Sequence, residues 1–278
     1  MEVEIKMGFK YQRLLGYFLG FILFYAPFAL FQKIIFFAFT GKWQQLTIHS
    51  LCFRIQTEHL LDGKLLLMSL PFIACIVILL IVTLFFGPVF CGRLCPAGAF
   101  TEYLSKVIPS RLQISWRTYT EIVPFRYGML AGFVILPFFD SLLACAYCNF
   151  FLFDLFVNYF VFGYFISLSS SMILTLFLWA GLFGIFTKGG RGFCNFLCPV
   201  GAVQNLLYSF SSRLPFVYRL IIDRQKCIGC KRCAIACPFG VVEMVDTIAQ
   251  KCDLCNQRSS GTQACIEVCP TQALRLMD

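Results

Sequence analysis

The sequence predicts an all-α polytopic membrane protein, with four transmembrane helices in two parallel two-helix repeats and a small α+β domain at the C-terminal end. Three observations carry that expectation. Of 278 residues, 59% are hydrophobic and 13% charged, with 34 phenylalanines and a mean hydropathy of +0.78, a composition outside the range of ordinary globular domains. The stretch F-C-G-R-L-C-P-A-G-A from Phe90 returns as F-C-N-F-L-C-P-V-G-A from Phe193, an offset of 103 residues. Eight cysteines then fall within the 43 residues from Cys227 to Cys269. The net charge of +9 could suit nucleic acid, but the basic residues stand where membrane insertion wants them and the tail has no continuous basic run.

In chain order, residues 1–13 alternate charged and apolar groups and end in Lys6, Lys10 and Arg13, an amphipathic lead-in at a membrane surface. Leu14–Phe31 reads as the first span, interrupted only by Pro27 and long enough to remain as an anchor. Ile34–Phe39 reads as an apolar stub near the interface, and Gly41–Lys64 as a polar loop that holds both histidines, His49 and His59. The second span, Leu65–Phe86, closes at Gly87 and Pro88 and delivers Cys91 and Cys95. The third, Tyr127–Phe139, ends at Asp140, with Cys145 and Cys148 just beyond. Phe150–Ile166 is apolar but carries Asp154 and Asn158, which predicts a membrane-parallel or re-entrant helix; the fourth span, Ser170–Phe186, leads to Cys194 and Cys198.

Sidedness follows from the basic residues. Arg93, Lys106, Arg111, Arg117 and Arg126 follow the second span against Glu102 and Glu121; Lys188, Arg191, Arg213, Arg219 and Arg224 follow the fourth against Asp223. The loop 140–169 has neither lysine nor arginine. Both boxes, both termini and the tail are therefore expected on the cytoplasmic face of a bacterial inner membrane, with Cys145 and Cys148 opposite. A repeat that contains two spans must be parallel, which agrees.

The tail begins C-I-G-C-K-R-C-A-I-A-C-P, the C-x2-C-x2-C-x3-C-P spacing of a two-cluster bacterial ferredoxin. It predicts residues 1–220 as the membrane domain and 221–278 as a ferredoxin-like α+β domain with two [4Fe-4S] clusters. Cys227, Cys230, Cys233 and Cys269 would hold one, and Cys252, Cys255, Cys265 and Cys237 the other. Structural zinc, which prefers two pairs of cysteines, and a disulfide scaffold, disfavoured in a reducing compartment, are the alternatives. Cys91, Cys95, Cys194 and Cys198 form two C-x3-C-P pairs, a sufficient ligand set for an additional iron or iron-sulfur centre; the alternative is packing, since cysteine buries well. Cys145 and Cys148 allow a disulfide, an unmodified pair, or half a metal site completed by His49, by His59 or by another protomer. Glu58, His59, Asp140 and Asp154 are the candidate catalytic groups that would accept protons from a quinol, because such a pocket needs a carboxylate or imidazole at the hydroxyl and acids at membrane depth are costly.

Two spans, a C-x3-C-P-x-G box, two further spans, a second box and a two-cluster tail together resemble the NapH-type membrane polyferredoxins, over essentially the whole chain. The resemblance implies a quinol dehydrogenase component that links the membrane quinone pool to a redox partner protein or multisubunit membrane complex, with quinone as substrate and the four box cysteines in the family's box positions. Relatives of that family serve nitrous-oxide reductase maturation, with a large outer flavin domain, and copper assembly, with a long C-terminal extension; this sequence shows neither. A non-catalytic redox- or iron-sensing or assembly factor for a metalloenzyme is the rival reading.

Overall fold

The computed structural model describes residues 14–25, 27–52, 66–114, 116, 122–139, 147–163, 169–211, 219–233, 244–245, 248–249 and 264–277. Helix α1 spans residues 14–24, and α2 spans Leu30–Thr40. The first predicted span is thus two helices. Pro27 lacks an N–H and biases the residue before it away from helix, and Ala29 enters the left-handed region at φ 45. The carbonyls freed by the break are taken up locally: the buried Gln32 donates from Nε2 to Phe24 O at 2.9 Å, and Lys33 Nζ donates to Pro27 O at 2.7 Å.

After a short 3-10 turn at Ile48–Leu51 comes α3, Leu66–Phe86, with Pro71 inside it. The first box follows, with Phe90–Leu94 in a π-type turn and α4 at Pro96–Ser105. Then come α5 at Ile122–Ile135 and α6 at Asn149–Phe162. Helix α7, Ser170–Leu176, continues into a π-wound stretch at Phe177–Ile185. The second box is carried by α8, Gly192–Phe196, and α9, Pro199–Ser211. In the tail, β1 (Arg219–Ile222) pairs antiparallel with β4 (Leu274–Met277), Arg219 opposite Met277 and Ile222 opposite Leu274. A second ribbon joins β2 (Met244–Val245) to β3 (Ile248–Ala249), and α10 is a single turn at Ala264–Glu267.

Packing brings the two boxes to a common centre. Helix α4 lies on the π-wound stretch, α8 on both that stretch and α5, α9 on α3 and α5, and α6 against α7 and α4. The core between them is aromatic and includes Phe24, Tyr25, Phe90, Phe150 and Trp179 together with the box residues Cys95 and Cys198. Phe24 meets Phe90 edge-on at 5.1 Å, and Phe100 lies 5.5 Å from Trp179, geometries that add about 0.5–1.5 kcal/mol each beyond area burial.

The membrane architecture is corrected here. Among the described residues, no helix is long and apolar enough to cross a membrane, where about 20 consecutive apolar residues are needed. Helices α2, α5 and α6 have 11, 14 and 14 residues, and the described side chains of the 21-residue α3 begin only at Leu70. The four-span bundle, the multi-pass inner-membrane placement and the sidedness built on it therefore fall. The composition that suggested them is accounted for by an aromatic interior together with exposed apolar side chains such as Ile81, Phe85 and Phe177.

Candidate iron-sulfur sites

The tail site is built by strand closure. Pairing of β1 with β4 continues through the Asp223 N–H, which donates to Ala273 O at 2.8 Å, so the loop after β1 and the loop before β4 face each other. Asp223 then organises the first loop: its carbonyl accepts from Cys227 N–H at 3.1 Å and its Oδ1 accepts from Gln225 N–H at 3.0 Å. Gly229 and Lys231 both take positive φ, at 70 and 60, which curls the loop around a concavity. Cys227, Cys230, Cys233 and Cys269 all line that concavity, a pocket of about 330 Å³ including its mouth, with Ile222, Ala273 and Leu274 as its apolar wall. Burial pushes the Cys269 thiol up, but hydrogen bonds from the Leu274 backbone, the Thr271 hydroxyl and the Ala273 backbone outweigh it and leave the thiol below its ordinary value. A thiolate is thus favoured where a ligand is needed.

A tetrahedral zinc ion holds sulfur at about 2.3 Å. Among the described residues, no three His, Cys, Asp or Glu side chains gather around a point in a way that could hold a single metal ion. The four tail thiols border a volume, which fits a cubane with a thiolate at each corner. Of the other predicted ligand set, Cys265 is described and buried; Cys237, Cys252 and Cys255 lie outside the described residues.

The second site sits where the boxes meet. Cys95 ends the π-type turn and caps α4, its Sγ accepting from Gly98 N–H at 3.4 Å, with Pro96 at the first helical position where its missing N–H costs nothing. Pro199 opens α9 in the same way after Cys198. A Cβ on Gly98 would run into Arg191 Nη1 and come within 3.5 Å of Cys194 Sγ, so the two boxes touch across this glycine. Cys95, Cys194 and Cys198 are buried, and Cys91 is half-buried. Burial, and then the charges that Cys198, Cys95 and Cys194 would carry, push the Cys91 thiol well up. The Cys95 thiol is pushed up to about 12, chiefly by burial and next by Cys194. The two pairs therefore lie within electrostatic reach of each other, and Cys95, Cys198 and Cys91 border one aromatic core.

Among the described residues, two buried arginines lie against the boxes: Arg126, whose Nε donates to Asn195 O at 2.7 Å, and Arg191. Arg191 follows Gly190, whose φ of 67 and close approach to Thr101 O and Glu102 Cα exclude a side chain. Its Nη2 lies 3.0 Å from Glu102 Oε2 and donates to the Tyr17 hydroxyl at 2.9 Å, while Nη1 donates to Cys91 O at 3.0 Å. Burial would lower the Arg191 pKa, but Tyr17, Glu102, Cys194 and Cys95 raise it further, so the guanidinium stays charged. The sequence marks Arg191 and Glu102 only as loop charges; their burial at 2% and 1% depends on a pairing 89 residues apart that no local pattern encodes.

The predicted topology sets Cys148 on the far side of a membrane from the boxes. Instead it packs against the same core as Cys91, Cys95 and Cys198. Tyr25, fully buried, has its hydroxyl pushed well up by burial and then by Cys95, Cys148, Asp154 and Cys198. Asp154 is 2% exposed; its Oδ2 lies 3.2 Å from His49 Nε2 and accepts from Asn158 Nδ2 at 3.3 Å. This explains the polar pair in an apolar helix, and it puts the other predicted histidine, His49, beside the acid. Glu58, His59, Asp140 and Cys145 lie outside the described residues.

Families of known proteins match segments around both groups of cysteines. A family described as a 4Fe-4S binding domain matches residues 68–115 and again 171–216, one box in each, and a second 4Fe-4S binding domain family matches residues 220–242. The chain therefore carries 4Fe-4S binding domains of two kinds. The protein described as "Putative oxidoreductase UacF" of Escherichia coli K12 is 73% identical over 85 residues, 31% of this chain and 12% of that protein. A Proteus vulgaris protein described as a probable iron-sulfur component of the Frd operon is 41% identical over 103 residues, 31% of this chain and 58% of its own length. The "Electron transport protein HydN" of Escherichia coli K12 is 36% identical over 102 residues, 31% of this chain and 52% of its own length. The match thus spans about half of two of these relatives and an eighth of the first. No solved structure matches the chain.

These relatives overturn the resemblance to the NapH-type membrane polyferredoxins: by name they are iron-sulfur and electron-transport proteins. The quinol dehydrogenase activity and the membrane quinone link, inferred from that resemblance and from the membrane topology, fall with them. What stands is the match to 4Fe-4S binding domains.

Proposed function

We propose that the chain is an iron-sulfur electron-transfer protein that relays single electrons between partner redox proteins. It would use two [4Fe-4S] clusters in the tail and a further centre shared by Cys91, Cys95, Cys194 and Cys198. The observation that carries the reading is the approach of two sequence-distant cysteine pairs around Gly98 and Arg191 on one core, within segments that resemble 4Fe-4S binding domains. A bound cluster supplies reversible one-electron chemistry. The chain's own residues do the rest: the cysteines supply anionic ligands, the aromatic shell excludes water, and the Arg191 guanidinium offsets part of the negative charge gathered by four thiolates. In the tail, Cys227, Cys230, Cys233 and Cys269 would hold one cluster and Cys237, Cys252, Cys255 and Cys265 the other.

Anaerobic iron and sulfide quantification tests the reading. About eight irons per chain would confine the clusters to the tail and refute the box centre. A clear excess that falls back to about eight in Cys91→Ser and Cys198→Ser supports it. A second reading, an accessory factor that senses redox state or iron supply for a metalloenzyme, is favoured by the likeness to the iron-sulfur component of an operon; it expects centres that cycle without passing electrons on to a redox protein.

A further inference from the structure

We propose that the tail loop 224–232 is a docking surface for the acidic face of a small electron-carrier protein. The inference rests on the electron-transfer reading above and names the surface on which such a partner would sit. From Asp223 to Asp278 the sequence carries seven lysines and arginines against six acids, close to balance. The charge is nevertheless unevenly placed. Four of the cations, Arg224, Lys226, Lys231 and Arg232, fall within nine residues that contain no acid, and all four are exposed. Asp223, the acid next to them, is turned to the backbone, where its Oδ1 accepts from Gln225 N–H at 3.0 Å. None of the four cations forms an ion pair with another described residue.

Between these charges stands an apolar side chain, Ile228, 67% exposed. With Cys230 and Lys231 it lines the cysteine pocket, so a partner seated on it would rest against the wall that encloses Cys227, Cys233 and Cys269. Lys231 holds a φ of 60, a conformation L side chains rarely adopt; a lysine is kept at the tip of the loop where glycine would cost less. An apolar anchor inside a charged rim is the pattern of a protein contact: the anchor loses water on binding, and the rim steers and orients a partner of opposite sign. Nucleic acid fits this surface less well, because a track of phosphates gives an exposed isoleucine nothing to pack against. Strand alternation limits the surface. Ile222 and Leu274 pair across the ribbon and both line the pocket, so Arg275, opposite Ile221, projects from the other face. It is also exposed and serves as a control of equal charge.

The test measures binding of an acidic flavodoxin to the full chain, prepared anaerobically, with iron counted in every variant. Saturable binding is expected, weakening about tenfold as salt rises from about 0.02 M to about 0.2 M. Lys226→Gln with Lys231→Gln should weaken it about tenfold and flatten the salt dependence. Ile228→Ser should weaken it several-fold and leave the salt dependence as it was, whereas Arg275→Gln should stay within about twofold of the parent. Should the paired lysine variant lose iron, Arg224→Gln carries the same expectation at about threefold. Binding that is absent in the parent, or unchanged in the loop variants, overturns the inference; so does an equal loss in Arg275→Gln, which would mark a net-charge effect. Tighter capture of a DNA duplex or of phosphatidylglycerol vesicles than of flavodoxin overturns it as well. Flavodoxin binding by a chain whose tail holds no iron overturns the electron-transfer reading and leaves the surface, while a full complement of tail iron without binding does the reverse.

Discussion

At Arg191 and Glu102 an ion pair is closed inside the core, with both side chains nearly inaccessible. Removal of one member leaves the other buried charge without its main counter-charge, Glu102 keeping only the exposed Lys106 at 3.8 Å, which costs up to about 3–5 kcal/mol. Arg191→Met should therefore lower the stability of the metal-free protein in urea by that amount, while Glu102→Gln with Arg191→Met together should recover much of it. Gly98→Ala tests the same spot sterically, since the new methyl meets Arg191 Nη1; it should cost about 1–3 kcal/mol by overpacking. The Cys95 thiol gives a pH dependence. Its folded value of about 12 stands above the ordinary value of 9.0, so the folded state holds the proton longer than the unfolded one. The stabilisation from this group is complete below about pH 9 and is lost as pH rises toward about 12. The slope across that window is about 1.4 kcal/mol per pH unit; chemical denaturation of metal-free protein at stepped pH should show it, and Cys95→Ser should reduce it. At this scale the sequence was only partly informative. Cys91, Cys95, Cys194 and Cys198 announce themselves by spacing, and Asp154 by being an acid in an apolar run. Arg191, Glu102, Tyr17 and Tyr25 do not, because their significance is a matter of who lies opposite, and their partners are tens of residues away.

Among the elements, the paired helices α4 and α9 share a design in which a box cysteine precedes a proline that opens the helix. The backbone N–H groups at such an N-terminus point toward the cysteines and favour negative charge there. Helix α1 fits against the first box closely enough that a Cβ on Gly20 would overlap Leu94 O, a backbone atom with no freedom to rotate away. Gly20→Ala should accordingly disturb the π-type turn that carries Cys91. We expect a loss of about 1–3 kcal/mol and a fall in box iron with the tail content unchanged, measured as iron per chain. The helical regions themselves were readable from apolar patterning. Their breaks were less so: one proline hinted at the division between α1 and α2, but the left-handed Ala29 and the capping roles of Gln32 and Lys33 depend on a fold-back that composition does not mark. The π-wound stretch Phe177–Ile185 left no trace either, since a run apolar on every side has no phase from which winding could be read.

For the molecule as a whole, the high apolar content led to a membrane architecture that the described helices do not support. Hydrophobic fraction reports how much apolar surface there is and not where it is put; here Phe24, Phe90, Phe150 and Phe193 line the core beside the box cysteines, while Phe85, Phe139 and Phe177 are exposed. The internal repeat was read as two parallel two-span units and that reading falls with the spans, although the two boxes it marks do pack on a common core. Each repeat supplies one cysteine pair, so substitution in either half should remove the same iron: Cys95→Ser and Cys194→Ser are expected to give identical losses, whereas Cys227→Ser should spare the boxes. The guanidinium that bridges Glu102 and the Cys91 carbonyl adds a temporal consequence. A ribosome making this chain completes the first half while that acid has only the solvent-exposed Lys106 at 3.8 Å beside it and the first thiol pair still lacks its opposite number. Only after synthesis passes Cys198 can the vessel close, and the interval between the two halves is one in which stray metal would find no finished coordination shell to occupy.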